Sequence, residues 1–110
     1  MSLIENLERM LAAGQDSAML RFGLGKAYAD HGDPLSAVTH LREAVRQDPG
    51  YSAAWKMLGR NLEAREDYDE AREVYAEGIR IAEEHGDLQA AKEMNVFLRR
   101  LRKGEEEEEE

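Results

Sequence analysis

Apolar residues recur three and four positions apart in six stretches of this chain, each bounded by residues that start or stop a helix. Leu3, Leu7, Met10 and Leu11 share one helical face behind Ser2, which forms a capping box with Glu5, and Gly14 closes that helix. Asp16 or Ser17 opens a second helix that closes near His31-Gly32. Asp33-Pro34 reads as cap and first helical residue of a third, which runs to about Gln47 and stops at Asp48-Pro49-Gly50. Ser52 is expected to cap a fourth helix, from Ala53 to about Glu66. Asp67 should cap a fifth, to Glu84, stopped at His85-Gly86. Asp87 opens the last, whose Ala90, Ala91, Met94, Phe97, Leu98 and Leu101 share about a third of the helical circumference. Gly104 is expected to end it. The pattern predicts an all-α chain of antiparallel neighbours joined by short turns.

The helices repeat. A shift of 34 residues aligns Leu24-Gly25 with Leu58-Gly59, Ala37 with Ala71, and Asp33 with Asp67. It also aligns Arg21 with Trp55, Tyr28 with Leu62, Leu41 with Tyr75 and Val45 with Ile79. Glycine inside a helix costs about 1 kcal/mol against alanine, so its recurrence at one repeat position predicts close helix approach there. Ala37 and Ala71 are expected to be small for the same reason.

These residues resemble the tetratricopeptide repeat family, whose pattern is W-x2-L-G-x2-Y, then A-x3-F and a closing proline. Trp55-x2-Leu58-Gly59-x2-Leu62 and Ala71-x3-Tyr75 carry it in one copy. Leu24-Gly25-x2-Tyr28, Ala37-x3-Leu41, Ala44 and Pro49 carry it in the other. Arg21 stands where the pattern has a large aromatic, Gly78 where it has alanine, and no proline ends the second copy. The resemblance implies a right-handed α-solenoid: a packing helix over 1–15, repeats over 18–51 and 52–85, and a capping helix over 86–104. Residues 86–103 lack the Leu-Gly pair, with Lys92-Glu93 in its place, so the last helix reads as a cap and not a third repeat. Trp55, Leu58, Tyr28, Leu24, Leu41, Tyr75 and Ile79 are expected in the core or between repeats.

The resemblance also implies a concave groove lined by the first helix of each repeat, which receives a peptide or a helix of a partner protein. Carried over by alignment, its residues are Met19, Phe22, Lys26, Ala29 and Asp30, then Ala53, Lys56, Arg60 and Glu63. Lys26, Lys56 and Arg60 would favour a partner of acidic character, while Met19 and Phe22 supply apolar area. Phe22, Lys26 and Met57 stand at the positions of the dicarboxylate clamp found in a subset of the family, which needs Asn as well as Lys and Arg, so a chaperone C-terminus is not the expected ligand.

Composition narrows the function classes. Of 24 acidic side chains against 15 basic, six are Glu105 to Glu110, so residues 1–104 are close to balance. That balance argues against a nucleic-acid partner, which needs many free cations. No apolar run reaches the roughly 20 residues of a membrane span, and Glu5 and Glu8 stand where a signal peptide is basic. The absence of cysteine excludes disulfides and thiolate zinc sites. A cytoplasmic protein is expected. The glutamates at 105–110 are expected to leave the helix as a disordered acidic tail. The tail is also a candidate ligand in cis for the groove cations or for Arg99, Arg100, Arg102 and Lys103.

The remaining candidate chemistry is thin. His31-Gly32-Asp33 recurs as His85-Gly86-Asp87, but both read as helix-stop and helix-cap turns. Gly23-Leu24-Gly25-Lys26 lacks the full phosphate-loop spacing and has Ala27 where Ser or Thr belongs. No nucleophile–base pairing, metal or cofactor signature is present. A non-catalytic protein-interaction module is therefore expected. The alternatives are a self-associating structural unit that forms a homo-oligomer, and a metal- or nucleotide-dependent enzyme accessory; the expected oligomeric state is a monomer or a weak homodimer.

Overall fold

The computed structural model describes residues 2–109, and among them every regular element is an α-helix: α1 (Leu3–Ala12), α2 (Ala18–Asp30), α3 (Pro34–Gln47), α4 (Ser52–Ala64), α5 (Tyr68–Glu84) and α6 (Leu88–Glu109). Three helix starts form as their sequences require. The Ser2 hydroxyl accepts the Glu5 N–H, Ser17 accepts that of Leu20 and the Asp33 carboxylate that of Ser36, each at 3.1 Å. Two starts differ from expectation. Ser52 lies inside α4 with Tyr51 in the cap position, and its hydroxyl donates to Asp87 at 2.5 Å. Asp87 in turn accepts the Ala90 N–H at 3.2 Å and so caps α6. Asp67 precedes α5, but its carboxylate turns to Arg65 at 3.3 Å and makes no side-chain cap.

The hairpins α2–α3 and α4–α5 are built on a close approach. A β-carbon on Gly25 would lie 2.5 Å from Leu41 Cγ, and one on Gly59 would lie 2.6 Å from Tyr75 Cζ. Leu41 and Tyr75 are fully buried in these gaps, beside the equally buried Ala37 and Ala71. The core continues through Leu24, Leu58, Leu62 and Met94, while Tyr28, Trp55 and Ile79 pack half-buried against it. Trp55 also donates its indole N–H to the Pro49 carbonyl at 2.8 Å, tying α4 to the preceding turn.

Each helix packs on the next in sequence, and in addition α2 touches α4 and α4 touches α6. The backbones of α1, α3 and α5 do not touch one another. The helices of one row are thus closer together than those of the other, which curves the stack with α2, α4 and α6 on its inner side.

The C-terminal end corrects the expected helix stop. Gly14, Gly32 and Gly86 take left-handed φ angles of 89°, 77° and 76° at their turns, whereas Gly104 stays helical and α6 runs on to Glu109. Glutamate is a good helix former, and Glu105 is held from the side by Arg72 of α5 at 3.5 Å. Among the described side chains of the acidic segment, Glu105 thus meets α5. Glu110 lies outside the described residues.

Two substitutions test this account of packing. Gly59→Ala forces a methyl group into the Tyr75 ring and is expected to destabilise the fold by about 1–3 kcal/mol, read from the urea midpoint. Glu66 has a φ of 63° at the turn where the preceding repeat places Gly32. Glu66→Gly relieves that conformation and is expected to raise stability by about 0.5–1 kcal/mol in the same assay.

Candidate functional site

The inner row presents a chain of side chains from α2, α4 and α6. On α2, Phe22 is half-buried with its ring centroid 4.9 Å from that of Tyr51, and exposed Lys26 pairs with Asp30 at 3.0 Å. On α4, Lys56 and Arg60 are one helical turn apart and both reach toward α6. Lys56 Nζ donates to Glu93 Oε2 at 2.5 Å. The Arg60 guanidinium stands 4.3 Å from the Phe97 ring centroid and 3.6 Å from Glu63. Glu63 also accepts the Tyr75 hydroxyl proton, which links this surface to the core.

Electrostatics at the Lys56 contact favour the charged form of Glu93. The Lys56 hydrogen bond, followed by that from Gln89 at 3.0 Å, holds Glu93 below the usual carboxylate range. Burial, and then Glu63, push the Tyr75 phenol far above its ordinary value, so it remains a donor.

The residues expected to line a groove are thus only partly brought together. Lys56, Arg60 and Glu63 form one cluster, Phe22 forms another with Tyr51, and Lys26–Asp30 is an exposed pair on α2. Met19 stands apart, in a cleft with Leu7 and Met10 of α1. The surface is also not a surplus of cations: Lys26, Lys56 and Arg60 each have a carboxylate partner. The sequence reading missed Glu93 and Phe97. Their helix lacks the Leu-Gly pair, yet it lies in the inner row all the same.

A second polar cluster was not anticipated. His40 of α3 is buried and stacked on Tyr28, with ring centroids 5.5 Å apart and planes 6° from parallel. Arg21 donates to His40 Nδ1 at 3.1 Å, and because guanidinium has no acceptor, the ring proton must sit on Nε2. Nε2 faces Glu8 of α1 at 3.3 Å, and Glu8 also accepts the Tyr28 hydroxyl at 2.9 Å. Arg21 grips Asp16 through two bonds of 2.8 and 2.9 Å, and Gln47 adds a third at 2.9 Å. Arg21 therefore replaces the aromatic of its repeat position with a network that ties α1 to α2 and α3.

The other candidate features are structural in geometry. His31 and His85 sit at the C-terminal ends of α2 and α5, each followed by a left-handed glycine and a capping aspartate. Gly23 to Lys26 lie within α2, where no loop exists to cradle a phosphate.

With this geometry in hand, similarity to known proteins is specific. The family model described as tetratricopeptide repeat matches residues 4–52 and 22–86. The chain is 54% identical over 99 residues to the TPR repeat-containing protein PA0015 of Pseudomonas aeruginosa, covering 90% of this chain and 94% of that protein. Its fold matches protein BPP2914 from Bordetella parapertussis with a TM-score of 0.81 at 46% identity, covering 94% of this chain and 90% of the other. It matches the Sgt2 TPR domain from Aspergillus fumigatus with a TM-score of 0.79 at 27% identity, covering 96% of this chain and 68% of that one.

Burial lowers the His40 pKa; Arg21 adds to this and Glu8 opposes it. Neutral His40 in the folded chain resists a proton that the unfolded chain accepts at about 6.5. Stability is therefore expected to fall as pH drops from about 6.5 towards the folded value, by up to about 1.4 kcal/mol per pH unit. His40→Gln should flatten this acid-side slope in urea unfolding between neutral and mildly acidic pH.

Proposed function

We propose, for a chain that belongs to the tetratricopeptide repeat family, that the inner face of α2, α4 and α6 holds a helix or extended segment of a partner protein. The fold is that of a protein-interaction scaffold, and the finer reading rests on the chemistry of this face. One observation carries it: Lys56 and Arg60 lie side by side with an aromatic ring, Phe97, beneath the guanidinium, and their carboxylate partners are half-buried at most. Such pairs contribute little to stability, typically under about 1 kcal/mol, so a partner carboxylate exchanges for Glu63 or Glu93 at small cost.

In this reading Phe22 is the apolar anchor on α2, Lys26, Lys56 and Arg60 select acidic side chains, and Asp30 and Glu63 set the register by repelling misplaced ones. Met19 extends the apolar area only for a segment long enough to reach the α1 cleft. No residue of this face is assigned a catalytic role.

The expected partner segment is acidic with one or two apolar anchors. Lys56→Glu combined with Arg60→Glu is expected to weaken such a peptide at least about tenfold by titration calorimetry. Circular dichroism checks that the helices persist. Unchanged affinity in a folded double variant contradicts the assignment.

A further inference from the structure

Lys56 and Arg60 each hold a carboxylate, but the two carboxylates are anchored differently. Glu63 pairs with Arg60 through Oε2, the oxygen that also accepts the hydroxyl proton of Tyr75, whose side chain is fully buried. Moving Glu63 away strands that phenol without its acceptor, a costly state for a buried donor. A carboxylate arriving at Arg60 therefore releases the guanidinium but leaves the Glu63 charge in place, facing it. Glu93 is anchored from the surface. Its partners are Lys56 of α4 at 2.5 Å and Gln89, one turn back on its own helix, at 3.0 Å. Turning the Glu93 side chain into water leaves behind Lys56, which is 33% exposed, and Gln89, which is exposed.

Lys56 is also the lysine of this face at which a carboxylate counts for most. Lys26 and Asp30 are 59% and 65% exposed and sit one turn apart on one helix, so water screens their attraction. The Lys56 bond instead crosses from α4 to α6, and the packed helices exclude part of the solvent from it. Phe22, 34 residues earlier, occupies the equivalent repeat position on α2. Lys56 thus lies between α2 and α6, in the middle of the inner row. A segment laid along that row passes Lys56 in mid-course and meets it with a side chain, not with its terminus.

We propose that Glu93 is an internal stand-in for a partner's carboxylate: in the free chain it occupies Lys56, and an Asp or Glu side chain of the bound segment displaces it. The inference rests on the inner face being the binding surface. A segment with a neutral side chain at this point has nothing to replace the Glu93–Lys56 bond and leaves it closed, whereas a carboxylate exchanges one ion pair for another. Glu93 thereby holds down the affinity for acidic segments without affecting those that leave the pair closed.

The test is titration of the full chain with an end-blocked helical peptide of about 15 residues, bearing leucines and glutamates on one face, and with its glutamine counterpart. Affinities are read by calorimetry, or by amide shifts where the heat is small. Glu93→Gln is expected to raise affinity for the acidic peptide about five- to tenfold and to leave that for the neutral peptide within about twofold. Glu93→Ala should give the same gain. In a Lys56→Gln background, Glu93→Gln should change affinity less than about twofold, because the seat is gone. General repulsion by Glu93 would act with or without Lys56, so a gain that persists in that background overturns the proposal. So does the absence of a gain from both Glu93 variants; in either case the inner face stands as the binding surface if Lys56→Glu with Arg60→Glu weakens the acidic peptide. If that double reversal leaves its affinity unchanged, or if folded Glu93→Gln binds neither peptide, the reading of the face fails and the proposal with it.

Discussion

The depth to which one helix sinks into the next is limited by whether a single β-carbon stands in the way, and at two positions in this chain it is missing. Leu41 occupies the space above Gly25 and Tyr75 the space above Gly59, each fully buried. The two helix pairs close on these contacts, and their spacing of 34 residues makes the pairs equivalent, so they stack in register. With the outer helices seated this deeply, the inner ones come near enough for α2 to touch α4 and α4 to touch α6. Curvature, and hence an inner face, follows from that difference in spacing.

The same constraint sets α6 apart from α2 and α4. In α6 the glycine register is taken by Glu93, so no further outer helix can sink into it. The helix instead directs Glu93 and Phe97 sideways to Lys56 and Arg60 of α4. One residue thus departs from the repeat and pairs with Lys56 on the inner face. At the N-terminal side α1 packs with Ile4, Leu7 and Leu11 half-buried, and Glu8 ties it to Tyr28 and His40.

Much of this was legible in the sequence because it is local or periodic. Ser2, Ser17 and Asp33 cap helices through residues three positions away, and Leu24-Gly25 and Leu58-Gly59 announce their role by recurring. What escaped depends on contacts across the chain. The Arg21, His40, Glu8 and Asp16 network joins three helices, and each member alone looks like an ordinary surface residue. Lys56 and Arg60 read as a cationic pair until α6 brings Glu93 and Phe97 beside them. The helix stop at Gly104 failed because glycine ends a helix only where the backbone turns left-handed, as at Gly32 and Gly86. Here the glutamates beyond it favour helix, and Glu105 finds Arg72.

The central claim is that the inner row is the working surface of this scaffold, and the footprint of a bound ligand on the backbone amides tests it most directly. Titrating an acidic helical peptide into isotopically labelled protein should move amide resonances around Phe22, Lys56, Arg60, Glu93 and Phe97, leaving the outward faces of α3 and α5 unchanged. Shifts confined to α3 and α5, with the inner row silent at saturation, would contradict it.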